Sequence, residues 1–169
     1  MESSMKLFAK VVLAAAVGAS LPALAAPADP VARGRYLVEV ADCNGCHTAG
    51  FAESGGAVPE AQRLTGMAVG FSGPWGVSYP ANLRLSVSRQ SADEWRVRAR
   101  AGGLPPMPWP ALKAMTDEDL NAIYAYLRAL GPAGLAAPQA VLPGAPIPTP
   151  HFVFVPQPPT QVVLGARTR

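Results

Sequence analysis

Apolar residues recur at three- and four-residue spacing most clearly near the C-terminal end of the first 130 residues. Leu120, Ile123, Tyr124, Leu127 and Leu130 fall on one side of a 3.6-residue period. This predicts an amphipathic helix capped by Thr116 and stopped by Gly131-Pro132. Asp117, Glu118 and Asp119 fill its first turn, where acids oppose the macrodipole, and they read as that rather than as paired catalytic carboxylates. Ser91-Ala92-Asp93-Glu94 has the form of a capping box and opens a second helix that Gly102-Gly103 ends. A third helix is expected from Pro30 to about Asp42, with Asp29 as N-cap and Val31, Leu37, Val40 and Ala41 sharing one side. Gly34 in its middle costs about 1 kcal/mol against Ala, so something is expected to pack closely there.

Between these helices the pattern is loop-like. Residues 48–82 are rich in Gly, with Trp75 and Tyr79 embedded among them, and a loop of that length in a compact domain is expected to wrap something. The run from Leu104 to Pro110 contains four prolines and reads as neither helix nor central strand. Residues 131–169 carry nine prolines, the composition of an extended tail with polyproline II character. His151-Phe152-Val153-Phe154-Val155 and Val162-Val163-Leu164 are too apolar for a solvated linker, so the tail is expected to lie along the body or to bind a partner. The organisation expected is a signal peptide over 1–25, one domain over 26–131 and the Pro-rich tail over 132–169.

The signal peptide rests on Lys6 and Lys10, an uncharged stretch from Val11 to Leu24, and small residues Ala23 and Ala25 at the expected cleavage site. Fourteen residues are too few to span a bilayer, so a cleaved leader and a periplasmic mature chain are expected, with no transmembrane segment. Met5 is an alternative start to Met1. Composition then narrows the field. Half of the 169 residues are hydrophobic and 15% are charged, which excludes wholesale disorder. The net charge of +3 falls to +2 without the leader, too weak to argue for nucleic acid. Arg84, Arg89, Arg96, Arg98 and Arg100 form a local basic cluster, read either as a solvated face or as a docking patch for an acidic partner.

The chemistry lies in Cys43-Asn44-Gly45-Cys46-His47, the C-x-x-C-H pattern of c-type haem attachment. Two thiols at this spacing reach the two vinyl groups on one edge of a porphyrin, and the following imidazole turns under the iron. Short Asn44 and flexible Gly45 let the segment bend over the ring. A thioredoxin-like pair needs a βαβ context that the pattern lacks, and a zinc site needs four ligands where only distant His151 is left. A disulfide between cysteines three apart closes a tiny loop and stabilises little.

With these residues in view, the stretch from about Asp29 to Leu130 resembles a class I c-type cytochrome. The resemblance is carried by Gly34-Arg35-Tyr36-Leu37 before the Cys-x-x-Cys-His run, by Met107-Pro108-Trp109, and by Asp119-Leu120 with Ile123 to Leu127. Tyr79-Pro80-Ala81-Asn82-Leu83 is similar to monohaem domains of bacterial dehydrogenase cytochrome subunits. Those relatives commonly continue with Thr-Pro-Asp, where this chain has Arg84-Leu85-Ser86. The resemblance implies an all-α cytochrome c fold, three to four helices around one covalent haem c, with the first and last helices crossing at Gly34 and Tyr126. It further implies thioethers at Cys43 and Cys46, and His47 and Met107 as axial iron ligands. Trp75, Tyr79 and Trp109 are expected either on the ring and its propionates or as ordinary core.

Met115 is wanted as a hydrophobic staple with Leu120, Met67 lies only 20 residues past His47, and His151 sits in the tail, so elimination also favours Met107. Its flanking prolines stiffen the loop that presents it. The expected function is electron transfer without bond-making chemistry, between a donor dehydrogenase and an acceptor oxidase or reductase. The alternatives are a non-catalytic subunit of an oxidoreductase complex docked through the tail, and a haem enzyme or gas sensor with an open distal site.

Overall fold

The computed structural model describes residues 29–156. The expected signal peptide (1–25) lies outside them, as do residues 157–169 with Val162-Val163-Leu164. Among the described residues no helix is long and apolar enough to cross a membrane.

Six helices and one three-stranded sheet form in the described chain. Helix α1 (Pro30–Val40) starts as its sequence dictates, with Asp29 accepting a 2.9 Å bond from the Val31 N–H. A one-turn helix α2 (Cys43–His47) follows directly. A short 3-10 turn (Glu60–Gln62) leads into a hairpin of strands β1 (Gly70–Gly73) and β2 (Gly76–Ser78). Helices α3 (Leu83–Ser88), α4 (Ala92–Ala101), α5 (Trp109–Ala114) and α6 (Asp117–Leu130) come next, and the tail returns as strand β3 (His151–Val153). Both halves of the Ser91–Glu94 capping box are made, and Thr116 caps α6 by accepting from the Asp119 N–H.

The core is the crossing of α1 and α6. Leu37 and Val38 meet Ala122, Ile123, Tyr126 and Leu127, with Leu64, Val87 and Trp95 closing the sides. At the centre Gly34 lies against the α6 backbone, where a Cβ would fall 1.9 Å from the Ala122 oxygen and 2.8 Å from the Tyr126 Cβ. The stripe on α1 is therefore centred on Gly34, and Val40, expected on the same side, is 59% exposed because six residues turn it away. Trp95 of α4, which the sequence did not single out, is buried and donates its indole N–H to the Leu120 carbonyl at 3.0 Å.

Arg84, where the chain departs from its relatives' pattern, is 5% exposed. Its guanidinium donates to the carbonyls of Gly131, Leu130 and Ala61 and so satisfies the C-terminus of α6. Arg96, Arg98 and Arg100 of the basic cluster are also engaged within the domain. Arg96 pairs with Asp93, Arg100 bonds the Lys113 and Met115 carbonyls and Asp117, and Arg98 bonds the Gly102 carbonyl.

The all-α expectation needs correction, as does the count of three to four helices. Residues 48–82 hold a hairpin, in which Phe71 pairs Ser78 and Gly73 pairs Gly76. Strands of four and three residues are too short to show an alternating pattern. Helix α3 is six residues long and is announced only by Asn82, whose Oδ1 accepts from the Leu85 N–H. Helix α5 begins inside the proline run because Pro110 lies in its first turn, where the missing N–H costs nothing.

Strand β3 pairs with β1 in parallel, with Phe71 opposite Phe152, and the ring of Phe154 meets Phe71 edge-on. Upstream, Val141 exchanges backbone hydrogen bonds with Val77, and Asn82 donates to the Ala133 and Leu135 carbonyls. Residues 131–156 thus lie along the body, as one of the two readings of the tail expected.

Two outcomes follow from close backbone approaches. Gly34→Ala drives a methyl into the Ala122 carbonyl; overpacking of this kind costs about 1–3 kcal/mol, more than the ~1 kcal/mol helix-propensity gain. The variant should melt about 5 °C or more below wild type by circular dichroism. At Gly76, with φ of +90°, a Cβ would lie 2.1 Å from the Val141 oxygen. Gly76→Ala should detach the tail, so that limited proteolysis cuts between 132 and 150 while the preceding domain persists.

Candidate functional site

Helix α2 places Cys43, Cys46 and His47 at positions i, i+3 and i+4, which share one helix face. Both cysteines are free thiols, Cys43 half-buried and Cys46 exposed. Burial, reinforced by the charge of Asp42, pushes the Cys43 thiol up to about 11 and raises that of Cys46 as well. Gly45 between them lies beside the exposed Asp42 side chain. Its φ is unexceptional, and a Cβ there would lie 2.6 Å from the Asp42 carboxylate. Asn44 is not merely short: it is buried and accepts from the Thr48 hydroxyl, which in turn accepts from the Leu64 N–H.

His47 is buried, and burial holds its pKa below the ordinary histidine value, against the opposing effect of a hydrogen bond to Ala81. That bond fixes the tautomer. Nδ1 lies 2.7 Å from the Ala81 carbonyl, which can only accept, so Nδ1 carries the proton and Nε2 keeps its lone pair. The His47 carbonyl accepts from the Gly66 N–H, which ties α2 to the segment leading into the hairpin. The sequence did not reveal the Ala81 contact, because its acceptor is a backbone oxygen.

Met107 lies half-buried in the loop between α4 and α5. Its carbonyl accepts from the Trp109 N–H at 2.8 Å. Met67 is half-buried and its N–H donates to the Pro80 carbonyl, one residue before the His47 acceptor. His151 is exposed on β3 and donates Nδ1–H to the Thr149 carbonyl. The polar tips of the three candidate ring-contact aromatics are taken up by the chain. The indole of Trp75 donates to Phe71, that of Trp109 donates to Leu104, and the Tyr79 hydroxyl bonds Thr149. Among the described residues no group of three or more His, Cys, Asp or Glu is placed to hold a bare metal ion. Two thiols free to form thioethers, beside an imidazole with its donor nitrogen available, instead fit a covalently attached metal macrocycle.

The chain is similar to the cytochrome subunit of fructose dehydrogenase from Gluconobacter japonicus, 32% identical over 125 residues that cover 67% of this chain and 24% of that one. It is also similar to the cytochrome c subunit of gluconate 2-dehydrogenase from Pantoea cypripedii, at 30% identity over 57% of this chain and 22% of the relative. The cytochrome c subunit of the quinone alcohol dehydrogenase of Gluconacetobacter polyoxogenes matches at 29% over 57% of this chain and 21% of its own. The chain thus spans about a quarter or less of the length of the curated relatives it matches. No solved structure matches it significantly. A family model described as cytochrome c matches residues 31–131, from the helix that precedes the two thiols to the end of α6, and on that match the chain belongs to the cytochrome c family, whose members hold iron in a covalently bound haem c.

Proposed function

We propose that this chain is a periplasmic electron carrier that holds one haem c by thioethers from Cys43 and Cys46, with His47 and Met107 as axial ligands. The observation that carries the reading is the 2.7 Å bond from His47 Nδ1–H to the Ala81 carbonyl, made by an imidazole that directly follows two reduced thiols on one helix face. That bond aims Nε2 and raises its basicity, as a backbone acceptor does for a metal-ligating histidine.

The bound haem supplies a one-electron ferric–ferrous couple. The chain's part is to hold its ligands still. Ala81 keeps His47 in one tautomer. The thioether of Met107, a soft donor, favours the reduced state and raises the potential relative to a second imidazole. With His47 and Met107 both on the iron, no coordination position would be left for a substrate, which would make this a carrier and not an enzyme. Half-burial and a place between two helices support Met107 as the distal ligand. His151 is exposed, and Met67 has its backbone tied beside the His47 acceptor.

A second reading makes the chain a non-catalytic subunit that receives electrons from a dehydrogenase, and the names of its relatives favour it. Docking through the tail would then use the outer face of β3 or residues 157–169, since the inner face of 131–156 is taken by the body. A catalytic subunit that co-purifies with the chain supports this reading; a lone monomer in solution counts against it.

In denatured gels the exported protein should keep its haem, and Cys43→Ala with Cys46→Ala should release it. Its ferric spectrum should show the weak far-red sulfur-to-iron band. Met107→Ala should abolish that band and lower the potential, whereas Met67→Ala and His151→Ala leave both intact. A band that survives Met107→Ala would sink the ligand assignment.

A further inference from the structure

Trp109 closes the loop that carries Met107. It donates twice across that loop: its backbone N–H to the Met107 carbonyl at 2.8 Å and its indole N–H to the Leu104 carbonyl at 3.0 Å. The six residues from Leu104 to Trp109 are thereby drawn into one turn around the methionine. The indole packs tightly against Gly103, where a Cβ would lie 2.8 Å from Cζ2. Above the ring is the guanidinium of Arg98, its Cζ 4.6 Å from the ring centroid. The same guanidinium donates to the Gly102 carbonyl at 2.6 Å, at the point where α4 ends and the loop begins. On the far side Ser78 of β2 donates to the Pro105 carbonyl.

Arg98 is exposed, so its contacts do not fill a core position. They join the last turn of α4 to the indole that closes the loop. A thioether held by an unbraced loop leaves iron easily, because the loop gains conformational freedom when it swings away. A cation resting on the indole face while donating to the loop's first carbonyl removes part of that freedom beforehand.

We propose that Arg98 and Trp109 are positioning residues for the distal ligand, a clamp that sets how firmly Met107 is held on the iron. The proposal rests on Met107 being that ligand, and the test separates the two. The ferric holoprotein is titrated with imidazole, which competes with Met107 for its coordination position, and the midpoint is read from loss of the far-red band.

Arg98→Gln removes the cation and Trp109→Phe removes the indole donor. Each should lower the midpoint about tenfold, the order expected for one cation–π or charge-assisted contact. Arg98→Lys, which restores a cation above the ring, should move the midpoint back toward wild type. A wild-type midpoint in either Arg98→Gln or Trp109→Phe overturns the clamp, even if the melting temperature has dropped, since a merely structural role moves the melt alone. An Arg98→Lys midpoint equal to that of Arg98→Gln overturns it too. Met107→Ala is run alongside. Survival of the far-red band there overturns the ligand reading and the clamp with it; its loss there, with wild-type midpoints elsewhere, overturns the clamp alone.

Discussion

The contact on which the rest of this structure depends is the crossing of α1 and α6 at Gly34. The missing side chain lets the two backbones approach until the Ala122 carbonyl lies where a Cβ would be. Once the helices are that close, Leu37, Val38, Ile123 and Leu127 are excluded from water together. The site follows from that contact by short covalent steps. Helix α2 begins three residues after α1 ends, so fixing α1 fixes where Cys43, Cys46 and His47 are presented. Helix α6 in turn receives Trp95 from α4 and Arg84 from α3, and α4 is the element from which the Met107 loop departs.

The cost of the glycine and its benefit fall in different places. Gly in a helix interior loses about 1 kcal/mol of local propensity. The return is tertiary, in the area that the two helices remove from water. Tyr126 adds to it from the other helix, its hydroxyl donating to Glu60, which also pairs with Arg35. Burial and the nearby Glu60 push the Tyr126 phenol up to about 12, so this bridge keeps its proton across the range in which proteins function.

Much of this was legible in the sequence where the cause is local. Asp29, Ser91 and Thr116 cap the helices that their side chains announce, and the Cys-x-x-Cys-His spacing of residues 43–47 points to the family that the domain match shows. What escaped has distant partners. The Ala81 oxygen that orients His47 is a main-chain atom that no side-chain pattern encodes. Arg84 looked like part of a basic surface because its three acceptors are carbonyls from two other segments. The sheet was hidden because β1 gains its second neighbour only from the far end of the tail.

The parallel pairing of β1 with β3 also imposes an order in time. Its partners are about eighty residues apart, and a parallel ladder cannot be made by a tight turn. The pairing therefore waits for residues near 150, and the loop-closure entropy it must overcome is that of most of the domain. Cys43 and Cys46 precede both partner strands in the chain, so the segment that carries them is complete well before the final strand can close against the hairpin. A fold whose last strand lies so far along the chain leaves one edge of its hairpin uncovered until residues near 150 arrive.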